Sequence, residues 1–359
     1  ASCLVGSEMC IRDRVSITPS TLEKYLKLNH KISIEKNAGF LSGFSDSDYS
    51  NATFYSRKDL IKNSDFVLSV NSSSLGTLND YKGKTLISNF SIDPNREKLK
   101  KEIEKNKITA FDLSMIPRTT IAQSMDILSS MAGLSGYKAI IKAAELLPKI
   151  FPMTITAAGS IKPVKVVVLG AGVAGLQAIA TAKRLGAIVE ASDPRHAAKE
   201  EVLSLGAKFI EVEGAVEDKS AGGYAVKQSK EYLSKQKEEV SKRLVQADVV
   251  ITTAQVFGSK SPVLISKAIV EKMNSGTVIV DLASSTGGNC ELTQDSKIID
   301  HNGVKIVGNS YLSTELSHDA SNLFSNNVFN FINHIITVSY THLRAHETRG
   351  NLVCRLLLE

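Results

Sequence analysis

A glycine-rich turn directly after an apolar run constrains the fold of this chain more than any other feature. Residues 164–169 are mostly apolar, as in a parallel strand that is buried on both faces. The turn that follows, Gly170-Ala171-Gly172-Val173-Ala174-Gly175, opens a helical pattern. In such a turn the first glycine permits a sharp bend, the second lets backbone amides approach a pyrophosphate, and the third lets the helix pack close to the sheet. We predict a Rossmann unit that binds a dinucleotide through these residues, a purely structural turn being the alternative.

Strand-like and helix-like patterns alternate along the rest of the chain. After the glycine turn, strands are predicted at residues 188–191, 208–212, 248–253, 277–281 and 304–307. Before it, strands are predicted at residues 31–35, 65–70, 85–90 and 108–112. Between the halves, residues 122–147 are helical, with interruptions expected at Gly133 and Gly136. The pattern predicts an α/β protein of two Rossmann-like, doubly wound parallel-sheet domains separated by a cleft.

Domain boundaries follow from the same patterns. We place an N-terminal domain at residues 13–128, completed by a C-terminal helix within residues 310–337, and a nucleotide-binding domain at residues 129–309. Residues 1–12 and 338–359 lack a hydrophobic period and cap or turn signals, and they resemble translated sequencing-adapter read-through. We therefore predict that both ends are non-native and that the N-terminal domain lacks an edge strand.

Composition excludes several classes of function. The net charge is only +6, and Lys and Arg are interspersed with Asp and Glu, so no basic stripe for nucleic acid is expected. No window approaches the roughly 18 apolar residues of a membrane span, and no secretory signal begins the chain. His301, His318 and His334 lack metal-ligand spacing, and Cys290 is expected to be inert. These features indicate a soluble cytoplasmic chain without a metal site.

Asp193 follows the strand after the glycine turn, where an acidic residue accepts hydrogen bonds from an adenosine ribose. A carboxylate there disfavours a 2′-phosphate, so we predict NAD rather than NADP. Arg195 and Lys199 would weaken that preference if their side chains turned inward. Asp193 before Pro194 is equally explained as a helix cap, and the two roles are compatible.

A segment dense in polar groups, residues 117–130, precedes the long helical stretch. Arg118 could hold a phosphate or pair with Asp126, and Gln123 and Ser129 could bond to a ribose or a carboxamide. A capped helix N-terminus explains the same composition without a ligand.

Several longer motifs carry a family resemblance. These are PRTTIAQSMDILSS, FPMTITAAGS, GAGVAGLQAIATAKRLGA, AGGYA, ADVVITTA, VIVDLASSTGGNC and VKIVG. Over residues 13–336 the chain resembles the NAD(H)-binding component, domain I, of proton-translocating nicotinamide nucleotide transhydrogenase. The resemblance implies an oxidoreductase in which hydride passes directly between NAD(H) on this component and NADP(H) on a partner component, coupled to proton translocation through a membrane-embedded component. No catalytic acid or base is then needed.

The resemblance also implies roles for individual residues. At the nicotinamide end it places Arg118, Gln123, Asp126 and Ser129, of which Gln123 is expected to matter most for reaction geometry. Tyr224 corresponds to the tip of a mobile loop that folds over the bound nucleotide. The predicted cofactor-binding set is completed by residues outside the first glycine turn, namely Asp193, Pro194, Arg195, Gly223 and Gln255.

The implied assembly is a homodimer held at the cytoplasmic face of the inner membrane by its partner components. One rival is an alanine dehydrogenase-like enzyme, which needs a lysine and a histidine in the first domain. Ser69 stands at the expected lysine position, and no histidine occurs between His30 and His196. The other rival is a catalytically silent NAD-binding chain.

Overall fold

Two α/β units make up the chain. A computed structural model describes residues 2–4, 14–91, 96–117, 119–195, 197–212, 230–255 and 259–339. The first unit comprises Ala1–Met131 with Thr314–Glu359, and the second comprises Ala132–Ser313. Each contains a largely or wholly parallel sheet with helices, so the predicted fold class is confirmed.

The sheet of the second unit has the strand order of a dinucleotide-binding fold. Across the sheet the described strands are β11 (Lys208–Phe209), β10 (Ile188–Ser192), β9 (Lys165–Leu169), β12 (Val249–Thr252), β13 (Val278–Asp281), β15 (Val304–Gly308) and β14 (Lys297–His301). All pair in parallel except β14, which runs antiparallel to β15. The order reverses between β9 and β12, and such a switch point leaves a crevice at the carboxyl ends of the strands.

Burial on both faces explains the apolar run that forms β9. Val166 and Val168 belong to one hydrophobic core, while Val167 and Leu169 belong to another. All four side chains are at most 3% exposed. Alternation between two cores removes the polar positions that a half-solvated strand would carry.

The helices of the second unit include two that flank the glycine turn. The described helices are α4 (Ile127–Leu146), inside which the boundary between the units falls, α5 (Val173–Arg184), α6 (Ala198–Ser204), α7 (Lys230–Val245) and α8 (Lys267–Val270). The expected interruptions of α4 are wrong, because the helix continues through Gly133 and Gly136. A Cβ at Gly136 would overlap the carbonyl oxygen of Ala174. Gly136 therefore serves the close approach of α4 to α5.

A short antiparallel hairpin also belongs to the second unit, and the sequence patterns did not indicate it. Its strands are β7 (Thr154–Thr156) and β8 (Gly159–Ile161). Gly159 has a φ of +130°, a region open to glycine. The side chain of Ile155 in β7 is 76% exposed.

The first unit has a wholly parallel sheet in the residues described. Its strands, in sheet order, are β3 (Thr53–Tyr55), β2 (Ile32–Glu35), β1 (Ser2–Leu4), β4 (Phe66–Asn71), β5 (Thr85–Asn89) and β6 (Thr109–Asp112). The expectation of a missing edge strand is wrong on two counts. Ser2–Leu4 form a strand, and that strand is central, pairing in parallel with both β2 and β4. A three-residue strand suffices there because ladder pairing uses only backbone N–H and C=O groups.

Four described helices belong wholly to the first unit: α1 (Pro19–Lys27), α2 (Arg57–Lys62), α3 (Arg96–Lys105) and α9 (Ser317–Ser339). The last of these returns from the far end of the chain to pack on α1. The rings of Tyr25 and Phe329 meet edge to face at 4.9 Å, and Val15 N–H donates to Ser321 Oγ at 3.0 Å. Within the described ranges, no helix has the length and apolar character needed to cross a membrane.

Gly175 and Gly172 allow the packing role of the turn to be separated from its other roles. A Cβ at Gly175 would overlap the carbonyl oxygen of Gly170, whereas a Cβ at Gly172 would meet no atom within 4 Å. We expect Gly175→Ala to lower the free energy of unfolding by about 1–3 kcal/mol through overpacking. Gly172→Ala should cost only a few tenths of a kcal/mol. Urea denaturation of both variants checks this, and equal stability would contradict the packing argument.

Candidate functional site

The glycine turn joins the carboxyl end of β9 to α5 and leaves room beside the start of the helix. Gly170 has a φ of +100°, which favours glycine, and its N–H donates to the carbonyl of Ser192 at 2.8 Å. Gly172 caps α5, and its carbonyl accepts from Leu176 N–H at 2.8 Å. The open space beside Gly172 faces amides that the helix itself leaves unpaired. This geometry fits a phosphate group at the N-terminus of α5.

Thr253, which sequence reasoning missed, fixes the turn from the other side of the switch point. Its N–H donates to the carbonyl of Leu169 at 2.9 Å, and its Oγ1 donates to the carbonyl of Gly170 at 3.0 Å. A Cβ at Gly170 would collide with that same Oγ1. Thr253 and the first glycine are therefore fitted to each other, although they lie far apart in the sequence.

The carboxylate of Asp193 is buried at the carboxyl end of β10, only 6% exposed. Its Oδ2 accepts from Ala171 N–H at 2.7 Å, inside the glycine turn. The capping alternative is wrong, because α6 begins at Ala198 and Asp193 spends its acceptors elsewhere. The structure thus brings Asp193 and the glycine turn together, as a ribose acceptor beside a pyrophosphate cradle requires.

The two cations near Asp193 are both paired with carboxylates. Arg195 donates from Nε to Asp193 Oδ1 at 2.9 Å and from Nη2 to Oδ2 at 3.1 Å. The hydrogen bond with Asp193 raises the pKa of the Arg195 guanidinium. Lys199 lies 2.6 Å from Glu211. Arg195 therefore turns inward, the arrangement that weakens a simple inference of NAD over NADP.

Asn289 secures the loop that carries Gln255. The Asn289 side chain is buried; it accepts from Ala254 N–H at 2.9 Å and donates to the carbonyls of Ala254 at 2.9 Å and Pro262 at 2.8 Å. Gln255 Nε2 donates to the carbonyl of Leu282 at 2.8 Å. The loop after β12 is thus held against the end of β13, at the carboxyl edge of the sheet.

Asp126 and Ser129 form the cap of α4. Asp126 Oδ1 accepts from the N–H groups of Leu128 at 2.9 Å and Ser129 at 3.0 Å, and Oδ2 accepts from Ser129 Oγ at 2.6 Å. This is the capped helix N-terminus that explains the segment without a ligand. A capping role leaves a ligand role open, since a carboxylate has about four acceptor positions.

Gln123 lies on a short helical turn, Thr120–Met125, with its side chain exposed. The neighbouring carbonyl of Ser124 is held from α9 by two amides, Asn327 Nδ2 at 2.8 Å and Asn330 Nδ2 at 3.0 Å. The turn is therefore anchored while Gln123 remains free to meet a ligand. Nothing in the sequence signalled Asn327 and Asn330, because α9 lies two hundred residues further along the chain.

Three predicted site residues, Arg118, Gly223 and Tyr224, lie outside the described residues. Cys290 is buried, and burial raises the pKa of its thiol, as expected for an inert cysteine. Among the described residues, no cluster of His, Cys, Asp or Glu could hold a metal ion.

Comparison with known proteins assigns the family. The N-terminal domain model of alanine dehydrogenase/PNT matches residues 8–135, and the C-terminal domain model of alanine dehydrogenase/PNT matches residues 139–355. The chain is 41% identical over 331 residues to the first of the polypeptides that form NAD(P) transhydrogenase subunit alpha in Rhodospirillum rubrum, covering 89% of this chain and 86% of that protein.

A solved structure and a more distant relative agree with this. The transhydrogenase from Sinorhizobium meliloti superposes with a TM-score of 0.85 at 36% identity, covering 94% of each chain. The alanine dehydrogenase of Methanococcus maripaludis is only 24% identical, over 78% of this chain and 70% of that protein. The chain therefore belongs to the alanine dehydrogenase/PNT family, within its branch of NAD(P) transhydrogenase alpha subunits.

Proposed function

We propose that this chain binds NAD(H) in its second unit and passes hydride directly between NAD(H) and NADP(H) held by a partner component. The observation that carries the proposal is the open space beside Gly172, at the start of α5, with the Asp193 carboxylate bonded into the same turn. A nucleotide would place its pyrophosphate against the amides of the turn and its adenosine ribose against Asp193. The family supplies the reaction.

Bound NADH supplies the hydride from its nicotinamide ring, so the protein needs no acid or base for the transfer itself. The chain contributes by binding, orienting and excluding water, because hydride transfer depends on bringing two nicotinamide rings together in a dry site. The amides at the start of α5 bind, and Asp193 with Pro194 and Arg195 sets the ribose end. Gln255 completes the rim of this nucleotide site.

Gln123 is the residue we assign to reaction geometry. Its side chain is exposed, and the turn that carries it is anchored through Ser124 to α9. An anchored amide with both donor and acceptor groups is suited to fix a carboxamide in one orientation. We propose that Asp126 and Ser129 support it from the cap of α4, and that Arg118, Gly223 and Tyr224 complete the nicotinamide end and its cover.

The proposed partners are an NADP(H)-binding component and a membrane-embedded component that couples transfer to proton translocation. The relatives' designation as subunits supports such an assembly. Through these components the chain would lie at the cytoplasmic face of the inner membrane.

We also propose that the chain forms a homodimer through the β7–β8 hairpin. Three apolar side chains on and beside this hairpin are exposed: Met153 at 63%, Ile155 at 76% and Ile161 at 46%. A contiguous apolar surface of this kind favours a protein interface.

The rival activity of alanine dehydrogenase is poorly supported. Ser69 stands where that chemistry needs an amine, and its buried hydroxyl donates to the carbonyl of Asn71 at 2.8 Å. A serine so placed supplies neither a positive charge nor a base to a keto-acid substrate. A silent NAD-binding chain is distinguished only by assay.

The full chain, mixed with an NADP(H)-binding transhydrogenase component, should transfer hydride from NADH to an NADP⁺ analogue that absorbs at a separate wavelength. Transfer should require both proteins, because each holds one nucleotide. Pyruvate with ammonium is the control substrate. NADH binding without transfer would indicate a silent chain, and turnover of the control would indicate an alanine dehydrogenase.

Gln123→Asn should slow hydride transfer by about 10- to 100-fold while changing the dissociation constant of NADH by no more than about twofold, because a misplacement near 1 Å alters geometry more than binding. Single-turnover kinetics and a separate NADH titration measure the two effects. Thr120→Ser, on the same exposed turn, is the matched control and should change neither. Equal losses of rate and affinity would refute a geometric role.

Ile155→Lys should weaken the dimer by at least about 2 kcal/mol, because a charge would be buried in the interface. Analytical ultracentrifugation should then show monomers at concentrations where the unmodified chain is dimeric. Ile298→Lys, which alters an apolar side chain 53% exposed on β14, is the control and should leave the dimer intact. Dissociation by the control alone would place the interface elsewhere.

A further inference from the structure

The ion pair between Asp193 and Arg195 occupies every acceptor position of the carboxylate that is expected to bind ribose. Oδ1 accepts from Arg195 N–H at 2.8 Å and from Arg195 Nε at 2.9 Å. Oδ2 accepts from Ala171 N–H at 2.7 Å and from Arg195 Nη2 at 3.1 Å. Since each carboxylate oxygen offers about two acceptor positions, no acceptor position remains for a ribose hydroxyl.

A ribose must therefore displace one of these four donors. The N–H groups of Ala171 and Arg195 belong to the backbone of the turn and cannot leave without unfolding it. The guanidinium can leave, because the Arg195 side chain is 36% exposed while that of Asp193 is 5% exposed. NAD(H) binding should thus release the guanidinium of Arg195 from Asp193.

A released guanidinium is a strong ligand for phosphate, which it binds through two parallel hydrogen bonds. The 2′-phosphate that distinguishes NADP(H) is attached to the ribose hydroxyl that Asp193 would accept. While Asp193 is charged, it neutralises Arg195 and repels that phosphate. Lys199, the other nearby cation, is held by Glu211 at 2.6 Å.

We propose that Arg195 is a latent 2′-phosphate ligand and that its pairing with Asp193 is what reserves this site for NAD(H). The inference rests on the proposed binding of NAD(H) to the second unit and adds to it a residue that determines nucleotide specificity. It predicts opposite effects for the two partners. Removing the charge of Asp193 should admit NADP(H), whereas removing Arg195 should ease the entry of NAD(H).

The test is a double-mutant cycle on the full chain: the unmodified protein, Asp193→Asn, Arg195→Ala and the double variant, each titrated calorimetrically with NADH and with NADPH. Asp193→Asn should bind NADPH at least about tenfold more tightly than the unmodified chain, the effect of one charge-assisted hydrogen bond. The double variant should lose that gain. Arg195→Ala should bind NADH at least as tightly as the unmodified chain and NADPH no better.

Two further measurements make the result decisive. Lys199→Gln in the Asp193→Asn background should retain the gain in NADPH affinity, and loss of the gain would identify Lys199 instead and overturn the proposal. A gain that survives in the double variant, no gain at all, or weaker NADH binding by Arg195→Ala would also overturn it. Thermal unfolding verifies that each variant is folded; should Asp193→Asn unfold, Arg195→Ala still decides. If the unmodified chain binds neither nucleotide, the proposed function itself fails.

Discussion

The hydrogen bond from Ala171 N–H to the Asp193 carboxylate is the contact on which the nucleotide site depends. It ties the glycine turn after β9 to the end of β10, and the bond from Gly170 N–H to Ser192 carbonyl joins the same two segments. Thr253 joins the turn to the end of β12. Each strand end is thus fixed by its neighbour, so the amides at the start of α5 hold one orientation before any ligand arrives. Such preorganisation lowers the entropy lost on binding.

The sequence allowed the second unit to be predicted more fully than the first. The strands β9, β12 and β13 are buried on both faces, and that burial is written directly in their runs of Val and Ile. The hairpin formed by β14 and β15 was only half predicted, although its turn contains Asn302 at a φ of 53° and Gly303 at 81°, the residue pair typical of a two-residue hairpin. Gly133 and Gly136 misled because a glycine is a helix breaker by propensity but a contact point when another backbone packs against it. Propensity is local, and that contact is not.

The same division holds for the site. The glycine turn and Asp193 were predictable because strand, turn and acidic residue stand at fixed spacings along one βαβ unit. Thr253, Asn289, Asn327 and Asn330 were not, since each acts on a segment remote in sequence through a single hydrogen bond. Such contacts leave no periodic signal, and Asn and Thr are common enough in loops that their composition indicates nothing. Arg195 was noticed, but only the structure gives the direction in which its side chain turns.

A chain that exchanges hydride with a second nicotinamide nucleotide faces a demanding problem of selectivity, because its own ligand and its partner's ligand differ by one phosphate. A pocket that merely lacks a phosphate ligand would discriminate weakly, since a solvent-exposed phosphate loses little by remaining hydrated. A buried carboxylate discriminates strongly, because it repels the phosphate from a site where water screens poorly. Placing Arg195 against that carboxylate keeps Asp193 charged and compensated when no nucleotide is bound, so that burial of the charge does not destabilise the turn. The arginine thereby permits a buried acid to stand where selectivity requires one.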